Sequence, residues 1–387
     1  MVRMFSRLNE SKYRDFFIIL PLIAFFSALL CLSAGNLSGD LGEFVLAGGM
    51  VAPFVILALL AHMGEKHAWV RLVATLWLLC LLFVLFALTL VITLAPIAAF
   101  SPDPDAIAPD LDSLPLATVG WTLLLSLGAG LASLIGFSRW FRGHLARVLP
   151  FDPDSFTHTI GLVCVLALIV MPLIPLILTG NAPFLNADLQ AMLGIGSEEP
   201  GSSFRLDSFT LVWTVIGSFF LVGLWVRRDV PATLERLGLV RPPARQILIG
   251  IATGVLLVGF FWCFDDAVAA LFAAYGIPTT DDTLVNNLFV ASFTPLAAIM
   301  ASVSAGIGEE LAVRGVIQPR FGILLSALVF ASMHAYQYAW DGLLSVLLVG
   351  LCFGVLRRYT NTSTSAISHG MYDLTLFALI MAGITTL

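Results

Sequence analysis

The chain has 387 residues, of which 59% are hydrophobic and 11% charged, against roughly 25% charged in a soluble globular domain. A mean hydropathy of +0.98 excludes a water-soluble fold, and a net charge of -6 argues against nucleic acid as a partner. The unit of organisation is therefore the apolar span of about 20 residues that crosses roughly 30 Å of hydrocarbon.

Arg3, Arg7, Lys12 and Arg14 precede the first apolar run, 16–34. With no small-residue cleavage site after it and many spans beyond, it reads as a retained helix and not a signal peptide. Runs at 44–63, 69–99, 116–137 and 158–179 follow, then 208–226, 246–274, 284–307, 322–339, 343–356 and 364–386. Each is expected to be a helix, because backbone in lipid must satisfy its own hydrogen bonds. The run at 343–356 is short, about 21 Å at 1.5 Å per residue. The expected fold is an all-α polytopic membrane protein of about ten or eleven transmembrane helices. The Arg-rich stretch 227–245 breaks the pattern, and two parts are expected: 1–207, about five helices of unassigned role, and 208–387. No internal repeat stands out.

If the N-terminus is cytoplasmic, every lysine and arginine except Arg205 falls on the cytoplasmic side, as the positive-inside rule requires. The opposite loops hold the acids: Asp103, Asp105, Asp110, Asp112, Glu198, Glu199, Asp281 and Asp282, read as a solvated rim. Loops near 64–71, 138–156 and 227–245 are expected in the cytoplasm. The five cysteines, Cys31, Cys80, Cys164, Cys263 and Cys352, lie in apolar runs without a CxxC pair and read as buried thiols. His62, His67, His144 and His158 fall near helix ends and read as interfacial.

Ionisable residues at membrane depth are costly unless paired or facing water, and so mark function. The segment GIGEELAVRG holds Glu309, Glu310 and Arg314. Glu310 and Arg314, four apart, share a face and can pair, either to brace the helix or to serve a site, while Glu309 lies about 100° around the helix. His334 follows in FASMH, and His369 and Asp373 stand one turn apart in SHGMYD. Asp265 and Asp266 lie in the outer third of a 29-residue run and read as reaching the outer interface, with an ion or proton site as the other reading.

These residues form EExxxR, FxxxH and a final Hxxx(N/D), in that order: Glu309, Glu310 and Arg314; Phe330 and His334; His369 and Asp373. The set resembles the CPBP family, the CAAX proteases and bacteriocin-processing enzymes of the membrane, over about 209–386; LGLVRPP looks like the approach to that family's core. The resemblance implies a CPBP-like helical core and an endopeptidase acting near the cytoplasmic side on membrane-embedded or lipidated proteins, in a bacterial-type inner membrane. It further implies Glu309 as general base, His334 as a holder of the water, and His369 with Asp373 as polarisers of the scissile carbonyl. Glu310, Arg314 and Phe330 would support them. Many members have asparagine at the last position. An ionised Asp373 would repel an oxyanion, so it must be protonated or must orient His369.

No cofactor is expected, with zinc as the alternative, since two histidines and a glutamate also make a zinc set; HExxH is absent. The aspartyl and serine intramembrane peptidases would need GxGD and GxSG, both missing. A proton-coupled transporter using Asp265, Glu309 and His334, and a scaffold or immunity protein without turnover, are the non-enzymatic alternatives.

Overall fold

In a computed structural model, residues 14–35, 37–95, 99–100, 109–110, 115–193 and 195–384 are described. Arg3, Arg7, Lys12, Asp103, Asp105 and Asp112 lie outside them. The described chain is helical but for a two-residue antiparallel pairing of Ala99–Phe100 with Pro109–Asp110.

The N-terminal helices are α1 (Arg14–Ser33), α2 (Gly39–Gly64), α3 (Ala68–Leu94), α4 (Leu116–Ser133), the short α5 (Arg139–Leu145) and α6 (Phe156–Val170). Pro172 and Pro175 cannot continue the hydrogen-bond ladder, so the run at 158–179 breaks after α6 into a 3-10 turn and α7 (Ile174–Thr179). Short α8 (Ala187–Leu193) leads to α9 (Ser203–Leu221). α9 packs against both α2 and the C-terminal helix that follows the acidic loop, and the expected boundary at 207/208 falls inside it. The Trp213 indole donates to the Phe44 carbonyl at 2.9 Å, tying α9 to α2 within a core that includes Phe26, Val55 and Phe220. His62 lies in the last turn of α2. It is 6% exposed, with Nε2 3.3 Å from the Leu221 carbonyl, because α2 runs alongside the end of α9.

The C-terminal part comprises α10 (Val230–Leu237), α11 (Ala244–Ala274), α12 (Asp282–Phe289), α13 (Pro295–Glu310), a π-helical stretch at Leu311–Ile317, α14 (Gln318–Met333), α15 (Trp340–Tyr359) and α16 (Thr362–Met381). Three apolar runs differ from their expected helices. The run at 284–307 is two helices, because Thr294 caps α13 through its hydroxyl, 3.4 Å from the Ala297 N–H, and Pro295 occupies the first turn. The helix expected at 322–339 ends at Met333. The short run at 343–356 is a 20-residue helix, because Asp341, Arg357 and Arg358 extend it into polar surroundings that hydropathy discounts.

Among the described residues, nine stretches are long and apolar enough to cross a membrane. One of them, Pro295–Met333, spans 39 residues yet is not one rod. Arg314 and Phe330, sixteen positions apart, would be about 24 Å apart on a straight helix. The guanidinium instead lies 4.5 Å from the phenyl centroid. The chain turns back at Gly322, whose φ of 74° is open to glycine at little cost. α16 is not among the nine, because His369 and Asp373 lower its hydropathy.

Every described cysteine is free. The thiols are not buried as expected, since Cys31, Cys80 and Cys263 are exposed. Their apolar surroundings are the lipid-facing surface and not the protein interior.

Candidate active site

α13 and α16 approach closely because glycines face each other. A Cβ built on Gly306 would stand 2.7 Å from the Gly370 nitrogen and 2.8 Å from the Ala366 carbonyl, so any larger residue would part the helices. This brings the last turn of α13, with Glu309 and Glu310, against the middle of α16, with His369 and Asp373.

Glu310 is completely buried and is the hub. One carboxylate oxygen is 3.0 Å from Nη1 of the equally buried Arg314 and 3.2 Å from His369 Nδ1. The other accepts the Ser365 hydroxyl at 2.6 Å. Arg314 also donates to the Gly350 carbonyl at 2.9 Å and is flanked by the rings of Phe330 and Phe353, at 4.5 and 5.7 Å. The expected Glu310–Arg314 pair therefore forms, but its anion also grips a histidine. An ion pair this deep needs its remaining donors and acceptors satisfied; Ser365, His369 and Gly350 serve part of that need, while Nε and Nη1 of Arg314 have no hydrogen-bond partner among the described residues.

His369 stands between two carboxylates, with Nδ1 toward Glu310 and Nε2 3.5 Å from Asp373 Oδ2. Both nitrogens donate, or the facing carboxylate carries the proton. Its ring stacks on Phe353 at 4.8 Å and meets Phe330 edge-on at 5.8 Å. His334 caps α14, its Nδ1 2.8 Å from the Phe330 carbonyl. A carbonyl only accepts, so Nδ1 carries the hydrogen and a neutral ring presents a bare Nε2. The FxxxH spacing thus has two physical roles: the Phe330 carbonyl sets the tautomer of His334, and its ring packs against Arg314, His334 and His369.

Glu309, His334, His369 and Asp373 all line one cavity of about 770 Å³. Glu309 is half-buried, and among the described residues no hydrogen bond or ion pair reaches its carboxylate. The cavity also gathers residues that the sequence reading placed elsewhere or did not single out. Asp265 and Asp266, both exposed, line its wall, and Asp265 accepts the Ser345 hydroxyl. Asp341 accepts the Thr280 N–H and hydroxyl, the latter at 2.7 Å. Tyr338, one turn beyond His334, stacks on it with centroids 6.3 Å apart, and Tyr372 also faces the cavity. The spacing of four from His334 to Tyr338 was a signal for one of these.

Among the described residues no group of three or more His, Cys, Asp and Glu side chains is arranged to hold a metal ion. Three of the four imidazole nitrogens are engaged by Glu310, Asp373 and the Phe330 carbonyl, leaving only Nε2 of His334. The present arrangement does not fit a zinc ion.

Residues 291–375 match the family model described as Type II CAAX prenyl endopeptidase Rce1-like. The C-terminal part carries an Rce1-like domain. The matched stretch runs from just before α13 through Asp373, so the Rce1-like domain holds every residue of the three motifs. No match to this chain was found among the curated proteins or the solved structures. The chain is thus a multi-pass helical protein by the length and apolarity of its helices, and its residues 291–375 are similar to that family.

Proposed function

We propose that this protein is an intramembrane endopeptidase in which Glu309 activates a water molecule to cleave a membrane-embedded or lipidated protein. The observation that carries this reading is the unpaired Glu309 carboxylate in a cavity that also receives the bare Nε2 of His334. A water between them would be held by both and would give its proton to Glu309 as its oxygen adds to the scissile carbonyl carbon. The carbonyl oxygen becomes an oxyanion and accepts hydrogen bonds from the protonated side of the His369–Asp373 pair. Glu309 then passes the proton to the leaving amine as the C–N bond breaks.

Arg314 and Ser365 hold Glu310, Glu310 holds His369, and none of the three needs to touch substrate. The donor set supports chemistry without a metal, since freeing His369 for coordination would leave Glu310 and Asp373 without the nitrogen each now faces. The placement of basic residues supports a cell-membrane protein with its N-terminus in the cytoplasm, and the helices before α9 are read as a separate part that could recruit substrate. The test is substrate trapping: peptide termini in membranes expressing the parent are compared by mass spectrometry with those of Glu309→Gln. Cleavage products present with the parent and absent with the variant support the reading. Identical termini in the two would refute it.

A further inference from the structure

Away from the cavity, arginines from four elements gather where α9 gives way to α10. Arg228 lies in the loop between those helices, Arg236 in the last turn of α10, Arg320 in the first turn of α14 and Arg357 in the last turn of α15. Backbone contacts seat them together. Arg236 donates to the carbonyls of Gly315 and Val316 at 2.7 and 3.1 Å, just before α14. Arg228 donates to the Val222 carbonyl, and Val222 packs with Leu237 and Leu311, which sets the loop beside α10. Gln318 donates to the Gly354 carbonyl at 2.8 Å, which sets the last turn of α15 beside the start of α14.

These charges are not offset. Burial opposes the charge on Arg228 and Arg236, and so does Arg320, which stands near both; Arg236 also feels Arg228 and Arg357. The acids nearby in the chain are spent elsewhere. Glu65 faces Arg227 at 3.4 Å, Asp229 accepts the Ala232 N–H at 2.9 Å, Asp152 accepts the Asp154 N–H at 2.9 Å, and Glu235 is exposed. Among the described residues no ion pair reaches any of the four arginines, no hydrogen bond reaches the guanidinium of Arg320 or Arg357, and Nε of Arg357 is buried without a partner. All four are half-buried, and an arginine keeps its proton at any physiological pH. Like charges held partly out of water with unfilled donors cost free energy, and an anion among them removes that cost.

We infer that Arg228, Arg236, Arg320 and Arg357 form a binding site for a phosphate group. Guanidinium forks match phosphate oxygens in charge and in geometry, and basic pockets between membrane helices are suited to phospholipid headgroups. Trp225 favours a phospholipid as the source. Among the described residues it alone is a non-glycine with positive φ, at 61°. Its N–H donates to the Arg228 carbonyl at 2.7 Å, and its side chain is 52% exposed. Strain of this kind is kept where the surroundings fix it, and here it holds an indole outward beside the arginines, as suits the headgroup layer. The inference is independent of the peptidase reading and of which way the chain faces.

The test uses purified full-length protein in a neutral detergent, titrated with short-chain phosphatidylglycerol, short-chain phosphatidylcholine or inorganic phosphate. Binding is read from the rise in melting temperature, and bound lipid is counted by native mass spectrometry. Phosphatidylglycerol is expected to bind at least about tenfold more tightly than phosphatidylcholine. Arg320→Gln and Arg357→Gln should each weaken it by about tenfold or more. Both variants should fold, since neither guanidinium makes a bond within the protein. Arg241→Gln, which removes one exposed charge from the same stretch, should leave binding unchanged. Protection by inorganic phosphate that Arg320→Gln abolishes would support the site with free phosphate as its ligand. Phosphatidylglycerol binding that survives both Arg320→Gln and Arg357→Gln, or that Arg241→Gln weakens equally, would overturn the inference. So would the absence of any preference for phosphatidylglycerol together with no protection by phosphate.

Discussion

Glu309 and Glu310 are adjacent in sequence and opposite in circumstance: one is unpaired at a cavity wall, the other is fully buried and shared by Arg314, Ser365 and His369. Their variants should differ accordingly. Replacing Glu309, His334 or His369 with alanine is expected to reduce turnover by at least about 10²-fold. The losses should fail to add in double variants, because groups acting on one transition state share one barrier reduction; steady-state rates on single and double variants check this. Glu310→Ala and Arg314→Ala each strand a buried charge, at a cost of about 3–5 kcal/mol, and should lower the yield of folded protein as well as activity, as read by detergent gel filtration. Asp373→Asn should be the mildest change in the set, since the amide still donates. The EExxxR motif gave away the 310–314 pair. Ser365 was not read, because serine in an apolar helix is unremarkable until a buried anion is found beside it.

At the scale of the element, two glycines shape the site, and a helix-end carboxylate ties α2 to the start of α6. Gly306→Val should part α13 from α16 and lower activity by moving Glu309 away from His369, with a drop in melting temperature as the check. Gly322→Ala would place a Cβ at positive φ and cost about 1–2 kcal/mol. Glu65, just past α2, accepts the Ser155 hydroxyl at 2.6 Å and the Thr157 N–H at 2.9 Å. Burial pushes its carboxyl up, but these bonds and Arg227 outweigh it and hold it at about 2. Since the folded value lies below the ordinary one, its stabilisation is complete above about pH 4.5 and fades only as pH falls through about 2. Titration of Glu65 should leave the melting temperature unchanged between pH 5 and 8, and Glu65→Gln should lower stability throughout that range by about 1–2 kcal/mol, read as a lower melting temperature. The helix ends proved hard to read where hydropathy and capping disagree: Thr294–Pro295 starts a helix inside one apolar run, and Asp341 begins another before its run.

At the scale of the molecule, composition and basic-residue placement were enough for a polytopic helical protein, because both follow from the solvent alone. The reversal at Gly322 and the place of Asp265 on the cavity wall were not legible. Each depends on which helix packs where, and an apolar face reads the same toward lipid as toward protein. The account further predicts that activity survives exhaustive chelation and is not raised by added zinc; loss on chelation with zinc recovery would replace the water-activating glutamate by a metal. The central claim is that Glu309 takes the proton from water, and the most direct measurement is turnover of a prenylated CAAX-type peptide by purified parent and Glu309→Gln proteins of equal melting temperature. The account predicts that the variant falls by at least about 10²-fold, because an amide cannot accept that proton; near-parental turnover would contradict it.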